Sequence, residues 1–82
     1  MNYKKNSREE ESKGKKYTFQ EFDDSNCKAL SILNFIKKYN LDLTPEAIGY
    51  HMKTNKIDWM QPSRDRFVLL TDITKNFYKI ND

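Results

Sequence analysis

The first sixteen residues hold only two large apolar side chains, Met1 and Tyr3, among nine charged ones, which confines any hydrophobic core to residues 17–82. A stretch of that kind cannot bury enough apolar surface to offset its ordering entropy, so residues 1–16 read as a disordered arm of mixed charge. Residues 17–82 make one small globular domain, of a size that buries roughly 60% of the surface its unfolded chain exposes. A domain this small gains stability from a homodimer or a bound partner.

Within that domain the apolar spacing marks several elements. Tyr17, Phe19 and Phe22 fit either a short strand or one helical turn, and in both cases the aromatics are expected to cover the core. Asp24 or Ser25 offers an N-cap for a helix over residues 26–39, with apolar positions at 29, 32, 33 and 36 widened by Leu30, Phe35 and Tyr39, and with Lys37 and Lys38 at the end where the dipole favours cations. Thr44-Pro45-Glu46 then starts a second helix: threonine caps, proline takes the first position and an acid follows in the first turn. Ile48 and Met52 define its buried side, leaving Glu46, Gly49, Tyr50 and Lys53 outside. Gly49 lowers the helix's stability by about 1 kcal/mol relative to alanine, so either close packing or the close approach of a partner is needed to explain it. No glycine or proline ends this helix before Ile57.

Two arrangements fit the remainder. In one, KIDWM and RFVLL are strands joined by QPSRD, with Pro62 in the turn, followed by a helix over residues 72–79 with Ile73, Phe77 and Ile80 on one side. In the other, Ser63 caps a single helix reaching residue 79, and the protein is an all-α three-helix bundle. Periodicity alone does not separate them.

The charge balance is +3 overall, distributed as +3 up to Lys16, −3 over residues 17–24 and +3 thereafter. It permits binding of double-stranded DNA or RNA without requiring it. The single cysteine, Cys27, builds neither a disulfide within the chain nor a cysteine zinc site, which suits a reducing interior. The longest apolar run, residues 67–70, is far short of the ~20 residues that cross a bilayer, and no signal-like segment opens the chain. The expected setting is therefore cytoplasmic, or nuclear in a eukaryote, with no membrane partner. His51 is the only histidine, no glycine-rich phosphate loop is present, and no acid pair is placed by a motif, so the expectation is a non-enzymatic protein without metal or cofactor.

The order of elements carries a resemblance. A helix ending in FIKKY, the capped helix TPEAIGYHMK, a hairpin around QPSRD and then RFVLLTDITKNFY are laid out like a winged helix-turn-helix domain, a small α+β fold. The segment SRDRFVLLTD resembles the wing of the multiple-antibiotic-resistance repressor family, in which a basic tip leads into a strand ending in Leu-Thr and a further helix. The pattern covers roughly residues 27–78. That fold needs two helices between its first helix and the wing, and the sequence offers two alignments. Either YTFQEF supplies the first helix, or TPEAIGYHM is the second and the third is missing. The glycine usual before the wing is absent.

On the first alignment, the resemblance implies that residues 44–56 form a recognition helix and that the protein regulates transcription by binding DNA. Tyr50, Lys53, Thr54, Asn55 and Lys56 would then face the major groove, with Arg64 and Arg66 on the wing against phosphates or the minor groove. A second reading stands beside it. The wealth of aromatics and the segregated charge also suit a small adaptor or inhibitor that docks on a larger protein, of a size found among phage and mobile-element products, with Trp59, Phe67, Phe77 and Tyr78 as anchors. In that reading Tyr50 and Lys53 are only a solvated helix face, and Arg64, Asp65 and Arg66 a local surface ion-pair cluster.

Overall fold

The structure is a computed structural model and describes residues 13–81. The expected arm falls largely outside this range. Its last residues do not: Gly14 is buried, and Lys16 opens the first strand, β1 (Lys16–Tyr17), so the folded unit begins before Tyr17.

Seven further elements follow: α1 (Phe19–Ser25), β2 (Ala29–Ser31), α2 (Ile32–Tyr39), α3 (Pro45–Lys53), β3 (Trp59–Met60), β4 (Phe67–Leu69) and α4 (Asp72–Tyr78). The strands form one sheet in the order β1-β3-β4-β2, with β1 parallel to β3 and the other pairs antiparallel. This is a small α+β domain of winged-helix-like layout, with residues 61–66 as the wing between β3 and β4. Phe67–Leu69 within RFVLL is a strand because it pairs with β3 on one side and β2 on the other, with Val68 and Leu69 buried, and the all-α bundle is excluded.

Two sequence expectations need correction. The helix expected over residues 26–39 is instead a strand followed by a helix. Asn26 takes the left-handed conformation (φ 61°), Ala29–Ser31 pairs with Phe67–Leu69, and Ser31 rather than Asp24 or Ser25 caps the helix by accepting from the Asn34 N–H. Leu33, counted in the buried stripe, is 64% exposed as a result. YTFQEF is both of its alternatives in succession, strand at Tyr17 and helix from Phe19. Its aromatics cover the core only in part, since Tyr17 and Phe22 are half-buried and Phe19 is 68% exposed.

Helix ends are set by side chains that compete with, or escape from, the helical backbone. Thr18, Ser31, Thr44 and Thr71 are the N-caps, each accepting from the N–H three residues on. Thr18 and Glu21 form a reciprocal capping box, and the Thr18 N–H, followed by the Lys15 ammonium, pulls the Glu21 carboxyl down to about 2. At the other end, Asn40, Asn55 and Lys79 take positive φ, and each creates the paired backbone bonds of a Schellman motif: Leu41 N–H to Ile36 O at 3.0 Å, Lys56 N–H to His51 O at 2.9 Å, Ile80 N–H to Lys75 O at 2.8 Å. Asn55 thus ends α3 where no glycine was available, because a short polar side chain tolerates the left-handed region.

The core is built on Phe35, Ile48, Met52, Ile57 and Val68, all fully buried, with Leu30, Ile36, Tyr39, Tyr78 and Ile80 packed around them. Phe35 meets Tyr39 and Tyr78 edge-on at centroid distances of 5.4 and 5.3 Å. Truncating such a phenylalanine to alanine costs about 3–5 kcal/mol. Helix α4 turns Thr74 and Tyr78 inward, while Phe77, expected on the inner side, is 40% exposed.

One polar group belongs to this core. Asp58, 1% exposed, accepts from the Lys15 backbone N–H at 3.0 Å and from the Thr71 hydroxyl through a short bond, while its own N–H donates to Thr74 Oγ1 at 3.0 Å. The carboxylate therefore ties the first strand to the cap of the last helix. Among the described residues no buried side-chain polar atom lacks a partner.

Candidate nucleic-acid interface

Helix α3 buries Ile48 and Met52 and turns Glu46, Gly49, Tyr50 and Lys53 outward, as a spacing of three and four residues requires. Tyr50 is 64% exposed. The hairpin brings the root of the wing alongside this face. Arg66, just before β4, joins Gly49, Tyr50, Lys53, Pro45 and Ile32 around an open groove of ≈ 460 Å³. Three of the residues expected to bind nucleic acid, Tyr50, Lys53 and Arg66, are thus assembled in one place from two elements.

Arg66 is held from behind by an aromatic ring. Its guanidinium carbon lies 5.4 Å from the Trp59 ring centroid, and the Lys16 ammonium approaches the same ring to 5.3 Å. Trp59 is 7% exposed, and its indole N–H donates to Asn55 Oδ1 at 3.3 Å. One side chain therefore touches β1, the end of α3 and the wing root. Among the described residues the ion pair within 4 Å is Lys15–Glu21, so Asp65 neutralises neither Arg64 nor Arg66.

The remaining sequence-derived candidates divide. Thr54 is turned back on its own helix, its hydroxyl 2.9 Å from the Tyr50 carbonyl oxygen, and Asn55 spends its carbonyl oxygen on Trp59. Asn55 is nonetheless exposed, with its amide N–H₂ group uncommitted. Lys56 is half-buried beyond the helix end, and Arg64 is exposed on the wing, its carbonyl accepting from Gln61 Nε2 at 3.0 Å. Of the aromatic anchors, Trp59 belongs to the interior, Phe67 and Tyr78 are half-buried, Tyr78 against the core and Phe67 in β4, and Phe77 remains accessible.

His51 lies on the flank of α3, where its Nδ1 shares a 2.8 Å hydrogen bond with the Tyr78 hydroxyl and its ring meets Phe77 edge-on at 4.9 Å. Burial, with a smaller effect from Lys56, lowers its pKa below 6.5, and burial raises that of Tyr78. Both groups are neutral at pH 7 and join α3 to α4. Among the described residues no cluster of three His, Cys, Asp or Glu side chains is placed to hold a metal ion, and no helix is long and apolar enough to cross a membrane.

Sequence reasoning missed Gly14 and Asp58, and counted Ile32 in the buried stripe without placing it at the groove. Gly14 and Asp58 matter only once β1 and β3 are neighbours, which no local pattern signals. Comparison of the chain with protein-family models, curated proteins and solved structures found no match to any of them.

Proposed function

We propose that the protein is a small non-enzymatic DNA-binding regulator that presents α3 to the major groove of a duplex and its wing to the adjoining backbone. The observation that carries this reading is the convergence of Tyr50, Lys53 and Arg66 on one open groove, with both cations outside any ion pair among the described residues. Lysine and arginine supply the sequence-independent attraction to phosphate, and the tyrosine hydroxyl adds a neutral donor. Arg64 extends the charge along the wing.

The test is a salt titration of binding to random duplex DNA. Affinity is expected to fall steeply with salt, and the double change Lys53→Glu with Arg66→Glu to abolish binding. Absence of binding at about 50 mM salt, a condition generous to electrostatics, removes the reading.

A protein-docking role is favoured by one separate observation. Leu33, 64% exposed, lines a second depression with Phe67, Asp65 and Arg66 beside the groove. Capture of one stoichiometric protein that survives high salt, and is lost on Leu33→Asp, would establish that role in place of DNA binding.

A further inference from the structure

Gly49 sits in the middle of α3, where glycine costs about 1 kcal/mol relative to alanine, and nothing inside the fold demands it. Its φ is not positive, and a β-carbon built there would meet only the Arg66 Nη1, at 3.6 Å, an ordinary van der Waals distance. Alanine would fit. The missing side chain leaves bare helix backbone at the floor of the groove, between Tyr50 and Lys53 on the helix side and Arg66 across from them.

We propose that this floor is the point at which a sugar-phosphate strand lies against α3, with Arg66 as its phosphate ligand and the Trp59 ring holding that guanidinium in position. The inference rests on the DNA-binding reading and adds to it where the strand runs and why the helix keeps a glycine. The groove's chemistry suits such a strand. Ile32 and Pro45 offer apolar surface to a deoxyribose face, and Lys53 and Arg66 offer charge to the phosphate. Glu46, which also lines the groove beside Pro45, repels phosphate, so the phosphate itself lies on the Lys53 and Arg66 side. An extended acidic peptide has similar charge but needs no bare helix backbone, and is the competing occupant.

The experiment uses the full chain, a fluorescent duplex of random sequence and three variants, with thermal unfolding measured on each. Gly49→Leu is expected to lower affinity about tenfold while the protein stays folded, and Gly49→Ala to lower it less while raising the melting temperature. Trp59→Phe, which removes the indole N–H and weakens the cation–ring contact, is expected to reduce the slope of log affinity against log salt by up to about 0.9, the loss of one phosphate contact. If the unaltered protein binds duplex and Gly49→Leu and Gly49→Ala bind within twofold of it, the strand passes elsewhere and this inference alone is overturned. If the unaltered protein binds no duplex but binds a glutamate-rich peptide, the DNA-binding reading falls and takes this one with it.

Discussion

The chain's two glycines stand at opposite ends of a physical argument. A β-carbon on Gly14 would fall 2.3 Å from the carbonyl carbon and oxygen of Ile57, a collision with backbone that no rotamer relieves. A β-carbon on Gly49 would find room. Around Gly14 the interior is saturated: Asp58 meets the Lys15 N–H and the Thr71 hydroxyl, and β1 locks onto β3. Around Gly49 the surface is unsaturated, an open groove flanked by cations without counter-ions among the described residues. A glycine that packing requires marks a place where the fold closes on itself.

The contrast can be broken by mutation. Gly14→Ala is expected to have the largest effect, a loss of about 3 kcal/mol, at the upper end of overpacking costs. Thermal unfolding reads it as a fall of roughly 12–24 °C for a domain of this size, and hydrogen exchange reads it as lost protection at the Trp59 amide, which bonds Lys15 O at 3.1 Å. An unchanged melting temperature would mean that β1 is dispensable. Asp58→Ala comes next, at about 2 kcal/mol, because it leaves the Lys15 N–H without its acceptor and the Thr71 hydroxyl with only the longer 3.4 Å bond to Thr74 Oγ1. Urea unfolding should register it as a lower midpoint at constant slope.

Gly49→Ala has the opposite sign, with stability rising by up to about 1 kcal/mol as the helix gains propensity without a clash. A loss in the same urea assay would show that internal packing does need the glycine. The smallest effect concerns pH. His51 has a folded-state pKa below its unfolded value of 6.5, so the unfolded chain binds more protons between the two. Its contribution is complete above 6.5 and is lost as pH falls through the lowered folded value. His51→Gln is expected to flatten that part of the stability profile, and an identical profile in the variant would assign the dependence to other groups.

How much of this was legible in the sequence differs by element. Thr44-Pro45-Glu46 gave the start of α3 correctly because capping is a local interaction, satisfied within one turn. Ile48 and Met52 were placed inside by spacing alone. Ala29–Ser31 was misread because its three residues continue the apolar period of α2, and only the pairing with Phe67–Leu69 makes them a strand. Tyr50, Lys53 and Arg66 came from the resemblance to a winged helix, on the first of its two alignments. That Trp59 is interior and Tyr78 packs against the core follows from contacts across the chain that no spacing contains.

By itself, then, the sequence determined where α3 begins, which face of it is buried, and that the core must come from the part of the chain after its charged opening. Those properties depend on neighbours within a turn or on composition. Only the tertiary structure decided that Phe67–Leu69 is a strand, that a β-carbon has no room at Gly14 and has room at Gly49, and that Arg66 lies across from Lys53. Each of these is set by which segments become neighbours, and that choice is made by burying the whole core together.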